Sequence, residues 1–238
     1  MEPTWWGAVV TDSRYPTIWD ANYARVEATD ASLTLAEVQS HLLPAIERSG
    51  ATRMHVVMFH PESQRGLLAE AGTRGDRITW DLLMEERAAT RKADHGPPPQ
   101  VEEIERFDPA FWDRFRESLR EFDITEEDAK DAMVLMEREI MLPAGKRWFA
   151  VREGRRRVAF GTLLVLEEVG YVDGVVTFPA ARRRGYAAAI MRRIAEEART
   201  AGARHLYLLA EPDGGARGLY ERLGFAGVTT LASTLGPR

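Results

Sequence analysis

Residues 176–191 read VTFPAARRRGYAAAIM. An apolar run ends at Phe178, Pro179 turns the chain, and Arg182, Arg183 and Arg184 stand directly before Gly185 and an alanine-rich segment. A helix N-terminus exposes backbone N–H groups with no partner inside the helix and carries partial positive charge. Glycine lets a ligand approach that backbone, and arginines at the rim add charge and bidentate donors for phosphate. A strand, an Arg-x-x-Gly-x-Ala turn and a helix therefore read as a pyrophosphate seat. The spacing is not that of a P-loop or of the three-glycine dinucleotide pattern. A basic helix start on a solvated surface is the competing reading of the same residues.

The flanking periodicities supply the elements. Tyr186–Thr200 reads as an amphipathic helix with Ile190, Met191, Ile194 and Ala198 inward. RHLYLLA (204–210) reads as a buried strand, residues 214–224 as a short helix closed by Gly224, and AGVTTLAST (226–234) as a last strand. Upstream, RWFAVRE (147–153), RVAFGTLLVLE (157–167) and YVDGVVTF (171–178) read as antiparallel strands, with Gly161 marking a bulge or a close backbone approach. Two helices precede them. Asp108 caps the first, with Pro109 at its first position and a stripe of Phe111, Phe115, Leu119 and Phe122. Thr125 and Asp128 form a capping box for the second, with a stripe of Ala129, Ala132, Met133, Met136 and Ile140. The order predicts a mixed α/β fold. ADHGPPPQVEE (93–103) cannot continue a helix or a central strand. The chain is thus expected to comprise a domain over 1–94, a linker over 95–106 and a second domain over 107–238.

The two halves echo one another at an offset of 152 residues, which separates Gly50 from Gly202, Gly66 from Gly218 and Gly72 from Gly224. GATRMHVV then lies over GARHLYLL, and RGLLAEAG over RGLYERLG. Thr34, with Glu37, opens a helix over 34–49 that corresponds to the one beginning at Tyr186. Asp30 falls on Arg182, Leu33 on Gly185 and Leu68 on Tyr220, so the first copy is not expected to hold an anion. Chance similarity between two alanine-rich segments is the alternative.

With these motifs in place, the second half resembles the GCN5-related N-acetyltransferases (GNAT). Their signature is Arg/Gln-x-x-Gly-x-Gly/Ala after a Val-x-Pro-like turn, and VTFPAARRRGYA is similar to it, with Thr177 where valine is commoner. The family's later helix, Asn-x-x-Ala-x-x-Leu-Tyr-x-x-x-Gly-Phe, is matched by DGGARGLYERLGF in Ala216, Leu219, Tyr220, Gly224 and Phe225, with Asp213 in place of Asn. The resemblance implies a GNAT acyl-CoA fold for the C-terminal domain and, through the repeat, a smaller degenerate GNAT-like domain before it. It implies acetyl-CoA as co-substrate. The backbone of Val175, Val176 and Thr177 would pair with the pantetheine arm, and the loop of Arg182, Arg183, Arg184, Gly185, Tyr186 and Ala187 would hold the pyrophosphate. Asp213 and Ala216 would complete the cofactor contacts. Tyr220 is the candidate proton donor to the leaving thiolate, with a core tyrosine as the alternative. Asp173 is the candidate base, with a surface-turn aspartate as the alternative, and Glu167 and Glu168 are further candidates. Trp112, Phe115 and Trp148 are candidates for the acceptor pocket or for the core.

Composition narrows the partners. The chain has no cysteine, so disulfides, thiolate metal sites and a cysteine nucleophile are excluded. Its five histidines show no metal-ligand spacing, and no metal is expected. A net charge of −5 argues against nucleic acid. No signal peptide, membrane association or membrane span is expected, and the location read is cytoplasmic. The expected partner is a small-molecule or peptide amine acceptor, and the expected assembly a monomeric pseudo-dimer or a homodimer. A non-catalytic CoA-binding sensor is the rival function, and a basic-patch nucleic-acid binder a third.

Overall fold

The computed structural model describes residues 1–87 and 99–237. Two compact units divide the chain. The first comprises Met1–Leu82 with Thr229–Arg238, and the second comprises Leu83–Val228. Residues 95–98 of the expected linker lie outside the described residues, and Val101–Glu103 is not linker but a strand paired with Phe149–Val151. The expected boundary near residue 107 and the assignment of the C-terminus to the second domain differ from this division for the same reason: strand pairing, not sequence order, decides membership.

The first unit begins with β1 (Glu2–Thr4), β2 (Gly7–Val10) and β3 (Tyr23–Val26), continues with α1 (Leu35–Ser49), β4 (Arg53–Met58) and α2 (Arg65–Arg74), and enters β5 (Arg77–Glu86). The strands β1, β2 and β3 pair antiparallel, and β3 pairs parallel with β4. Its core is built from Trp6, Val26, Val38, Leu42, Ile46, Met54, Val56, Met58 and Leu67. Thr34 caps α1 with Glu37 in a reciprocal capping box, as the sequence predicts.

The second unit holds β6 (Val101–Glu103), α3 (Pro109–Ser118), α4 (Glu127–Met136), β7 (Arg147–Glu153), β8 (Arg156–Leu166), β9 (Val169–Val172), β10 (Val175–Thr177), α5 (Tyr186–Thr200), β11 (His205–Ala210) and α6 (Arg217–Arg222). The strand β12 (Phe225–Pro237) starts here, and from Thr229 onward it belongs to the first unit, where Ala232–Pro237 pair antiparallel with β4. The order within this unit is β11, β9, β8, β7, β6, with β10 on β8 and the last residues of β5 beside β11. Both units are mixed α/β.

Asp108 caps α3 by accepting from Phe111 N at 2.8 Å, with Pro109 at the first position. The stripe of α3 buries Phe111, Phe115 and Leu119, but Phe122 is 49% exposed, because a 3₁₀ turn over Leu119–Phe122 changes the period. The expected capping box at Thr125 does not form, since Glu126 is the first boundary residue of α4 and no side chain caps it. After α4 a π-helical turn spans Glu137–Met141, with Leu142 N donating to Glu137 O at 2.9 Å. Trp148 packs edge to face with Phe111, Phe115 and Phe160, 5.2 Å from the first two. Such pairs each add about 0.5–1.5 kcal/mol beyond area burial.

The sequence reads 171–178 as one strand, and the structure breaks it. In β9, Tyr171 faces Leu164, whereas in β10 Val175 faces Gly161, so one extra residue is accommodated at Asp173–Gly174. Gly174 takes φ +94°, and its carbonyl accepts from Thr162 N at 3.3 Å. The parallel pairing of β9 with β11 ends at Val172 and Leu208. Gly161 is a close approach rather than a bulge: a Cβ there would overlap Ile190 Cγ2 and lie 3.1 Å from Ile194 Cδ1, so α5 rests directly on β8. Gly161→Val is expected to lower unfolding free energy by about 2–3 kcal/mol through overpacking, measured by denaturant unfolding.

Candidate functional site

The site is built where β10 gives way to α5. Pro179–Ala181 forms a 3₁₀ turn, Arg182 is extended, and Arg183 and Gly185 adopt left-handed φ of +64° and +79°. Positive φ is natural for Gly185 but costs Arg183 about 1–2 kcal/mol, a strain seen mostly where function needs the geometry. Such reversals turn successive N–H groups into one concavity. Gly185 is the N-cap of α5 and supplies no side-chain acceptor, so the first turn of N–H groups is left open at the positive end of a 15-residue helix.

The three arginines have different surroundings. Arg182 bonds to Glu121 and donates Nε to Thr177 O at 3.0 Å. Arg184 donates to Glu153 at 2.8 Å and to Ala180 O at 3.1 Å, and Tyr186 donates its hydroxyl to the same Glu153 at 2.8 Å. The hydrogen bond to Tyr186 and the charge of Glu153 hold the Arg184 guanidinium above its ordinary value, and that to Glu153 raises the Tyr186 phenol. Arg183 is exposed and makes no side-chain ion pair among the described residues. Two arginines thus clip the loop in shape and the third faces solvent with its charge uncommitted.

On β10, Gly174 O accepts from Thr162 N and Phe178 N donates to Val158 O, which puts Val176 in the hydrogen-bonding register with β8. Val175 and Thr177 then direct their main-chain groups away from β8. Thr177 O is taken by Arg182, and Thr177 Oγ1 is buried with no partner among the described residues. The Val176 side chain enters the core with Phe178. An extended ligand carrying amides would find an open strand edge leading to the concavity at Arg183–Ala187. The residues therefore fit a CoA-type group: a strand edge for the arm and a helix N-terminus for the diphosphate.

Asp173 lies at the bulge that opens this edge. Its Oδ2 accepts from Lys146 Nζ at 2.6 Å, and its side chain is 40% exposed. Lys146 also donates to buried Glu137 at 2.8 Å, and Glu137 accepts from Trp148 Nε1 at 2.6 Å. Burial opposes the Lys146 charge, but Asp173 and Glu137 outweigh it and hold the ammonium above its ordinary value. Trp148 and Phe115 belong to the core, and Trp112, half-buried against it, donates Nε1 to Phe107 O at 3.0 Å. Tyr220 is 8% exposed, its ring 6.2 Å from Phe225, and burial raises its phenol. Asp213 and Ala216 are exposed, and among the described residues no hydrogen bond or ion pair joins Asp213, Ala216 or Tyr220 to the loop at 182–187.

Sequence reasoning missed Glu137, Lys146, Glu121 and Glu153. A signal existed for Glu137: it falls on the apolar stripe between Met133 and Ile140, where an acid has to be buried with a partner. Nothing local marks the other three.

The corresponding helix start in the first unit is filled from within. Thr34 Oγ1 accepts from Glu37 N at 3.2 Å, and the Glu70 carboxylate accepts from Leu35 N at 2.9 Å. Shifted by 152 residues, β4 covers the span of β11 and α2 starts where α6 starts, so Leu35 and Ala187 occupy equivalent places. One has a carboxylate of the chain on its N–H, and the other stands in an uncapped turn.

The profile described as "Acetyltransferase (GNAT) family" matches residues 104–225. No curated protein matches the chain. Among solved structures, the chain is similar to a functionally unknown conserved protein from Staphylococcus epidermidis at TM-score 0.74 and 12% identity, over 97% of this chain and 90% of that one. It is also similar to a GCN5-related N-acetyltransferase from Kribbella flavida at TM-score 0.59 and 20% identity, over 87% and 77%. A GCN5-related N-acetyltransferase from Sphaerobacter thermophilus aligns at TM-score 0.53 and 19% identity, over 82% and 66%. At these identities the likeness is one of fold. Thr34→Ala is expected to cost about 1 kcal/mol of stability through the lost cap, read by denaturant unfolding.

Proposed function

The chain belongs to the acetyltransferase (GNAT) family, whose members use acetyl-CoA, and on that premise we propose that it transfers the acetyl group to an amine by direct attack in a ternary complex. The observation that carries the reading is the uncapped start of α5, joined through the Arg183–Gly185 turn to an open β10 edge. Backbone N–H groups from Arg183 to Ala187, with the Arg183 guanidinium, hold the diphosphate, and Val175 and Thr177 align the arm. Bound acetyl-CoA supplies an activated thioester, and the remaining chemistry is proton management. An alkylammonium has a pKa of about 10, so the acceptor gives up a proton before it attacks. Asp173, partly exposed at the bulge, accepts it. Tyr220, whose phenol burial keeps protonated at neutral pH, donates a proton to the departing sulfur. The amine nitrogen gains the acetyl group as the C–S bond breaks, its second proton returns to the Tyr220 phenolate, CoA leaves as the thiol, and Asp173 passes its proton to water. Asp213 and Ala216 complete the cofactor contacts.

The first unit reads as a duplicate without a diphosphate seat, since Thr34, Glu37 and Glu70 fill its helix start. The acceptor is a small or peptidic amine, and the two units in one chain suit a monomer.

Incubation with acetyl-CoA and a panel of amines, with free thiol monitored, is expected to give release above blank. Tyr220→Phe is expected to lower kcat by about 10²-fold. Stabilisation by CoA without turnover on any amine would favour the sensor reading, and no stabilisation at all would sink both. Calorimetric titration is expected to return one CoA per chain, with Arg183→Glu weakening it by about tenfold or more, whereas two sites would contradict the filled helix start of the first unit.

A further inference from the structure

Beneath Asp173 lie two charged groups that acetyl transfer alone does not call for. Glu137, 4% exposed at its side chain, sits on the π turn after α4, and its two oxygens take Trp148 Nε1 and Lys146 Nζ. Lys146, 6% exposed at its side chain, reaches across to Asp173 Oδ2 at 2.6 Å. Withdrawing an ammonium and a carboxylate from water is favourable only with good geometry and satisfied hydrogen bonds. Hydrophobic residues would fill this space at less desolvation cost, so the cluster needs a reason. One ammonium between two carboxylates leaves one net negative charge, and Asp173 is the member that reaches solvent.

Asp173 also sits at the bulge, where β10 begins, and its main chain is held there: its carbonyl accepts from the Thr162 hydroxyl. The main chain and one carboxylate oxygen are thus fixed from beneath, and Oδ1 has no donor among the described residues. Lysine suits this bridge because a compact ammonium with three donors serves two carboxylates at once. The charged groups facing Asp173 are Lys146, from the segment before β7, and through it Glu137. β8 offers the Thr162 hydroxyl, and the 3₁₀ turn after α3 offers the neutral Phe122 ring, which lies within 4 Å of a Cβ built on Gly174.

We propose that Lys146, anchored by Glu137, is the positioning residue that orients Asp173 as proton acceptor for the incoming amine. The inference rests on the acetyl-transfer reading above. Lys146 and Glu137 touch neither substrate; they fix the direction and charge of the group that does.

The experiment pairs turnover with the titration of Asp173 itself, followed by 13C NMR of carboxyl-labelled aspartate and assigned by the signal lost in Asp173→Asn. Asp173→Asn is expected to lower kcat by about 10²-fold with the KM for acetyl-CoA within about twofold. Lys146→Gln removes the positive neighbour, so the Asp173 midpoint and the acid limb of kcat are expected to move up in pH together. Glu137→Gln removes a negative neighbour, so both are expected to fall. Opposite shifts of the acid limb of kcat that follow those of the midpoint are not what a purely structural ion-pair cluster produces, and either variant alone gives a decisive sign if the other does not fold. Asp173→Asn keeps both buried groups and stands as the fallback: retention of kcat and of the acid limb in it overturns the proposal. So do unmoved midpoints with wild-type turnover present. Absence of wild-type turnover overturns the acetyl-transfer reading, and this inference with it.

Discussion

One extra residue at Asp173–Gly174 organises the second unit. Without it, β9 would continue in register on β8, and its far edge would continue to pair with β11. With it, the register slips between Tyr171 and Val175, parallel pairing stops at Val172, and β10 follows β8 alone. A slip of one residue exchanges the faces of every side chain that follows. Val176 and Phe178 consequently enter the core, while the main chain of Val175 and the N–H of Thr177 are left on an open edge, Thr177 O being held by Arg182. The left-handed Gly174 makes the slip possible, and the Thr162 hydroxyl on Asp173 O holds it. The charged cluster beneath Asp173 and the loop beyond Thr177 are both consequences of where this strand is sent.

Electrostatics separates the two helix starts that an offset of 152 residues aligns. Both carry the partial charge of a 15-residue helix. In α1 that charge is spent on Glu37 and Glu70, which is the ordinary way of stabilising a helix. At the same offset Ala189 stands for Glu37 and Arg222, on α6, for Glu70; the N-cap of α5 is a glycine, and nearby acids are turned to other uses: Glu121 and Glu153 bind the side chains of Arg182 and Arg184. Acids near a diphosphate site would repel the ligand if they were free. Clipped to arginines they are neutralised, and the pairs shape the loop while Arg183 carries the uncommitted charge.

Much of this was legible in the sequence. The limits of β7 and α5, the Asp108 and Thr34 caps, and the inward face of α5 follow from period and capping chemistry acting within a few residues. The bulge was not, because YVDGVVTF keeps its apolar character across it; Asp-Gly was the only mark. Nor was the cluster of Glu137, Lys146 and Asp173, whose members come from three elements and meet only after folding. Phe122 was misplaced because a 3₁₀ turn replaced the last turn of α3. Tyr220 was singled out by motif alone, and its burial comes from the packing of α6 beside Phe225.

Sequence halves and structural units do not coincide. In sequence, β5 ends the first half and β12 the second. In the structure, Ala232–Pro237 of β12 pair with β4, so the first unit is completed by the end of the chain. In turn, β5 runs on into the second unit, where Glu85 bonds to His205 of β11 at 2.8 Å and Glu86 to Arg199 of α5 at 3.3 Å. Strands contributed by the other half bury the same edges that a copy's own strand would bury, because pairing depends on main-chain groups and face pattern rather than on sequence position. Neither half of the sequence therefore holds a finished unit.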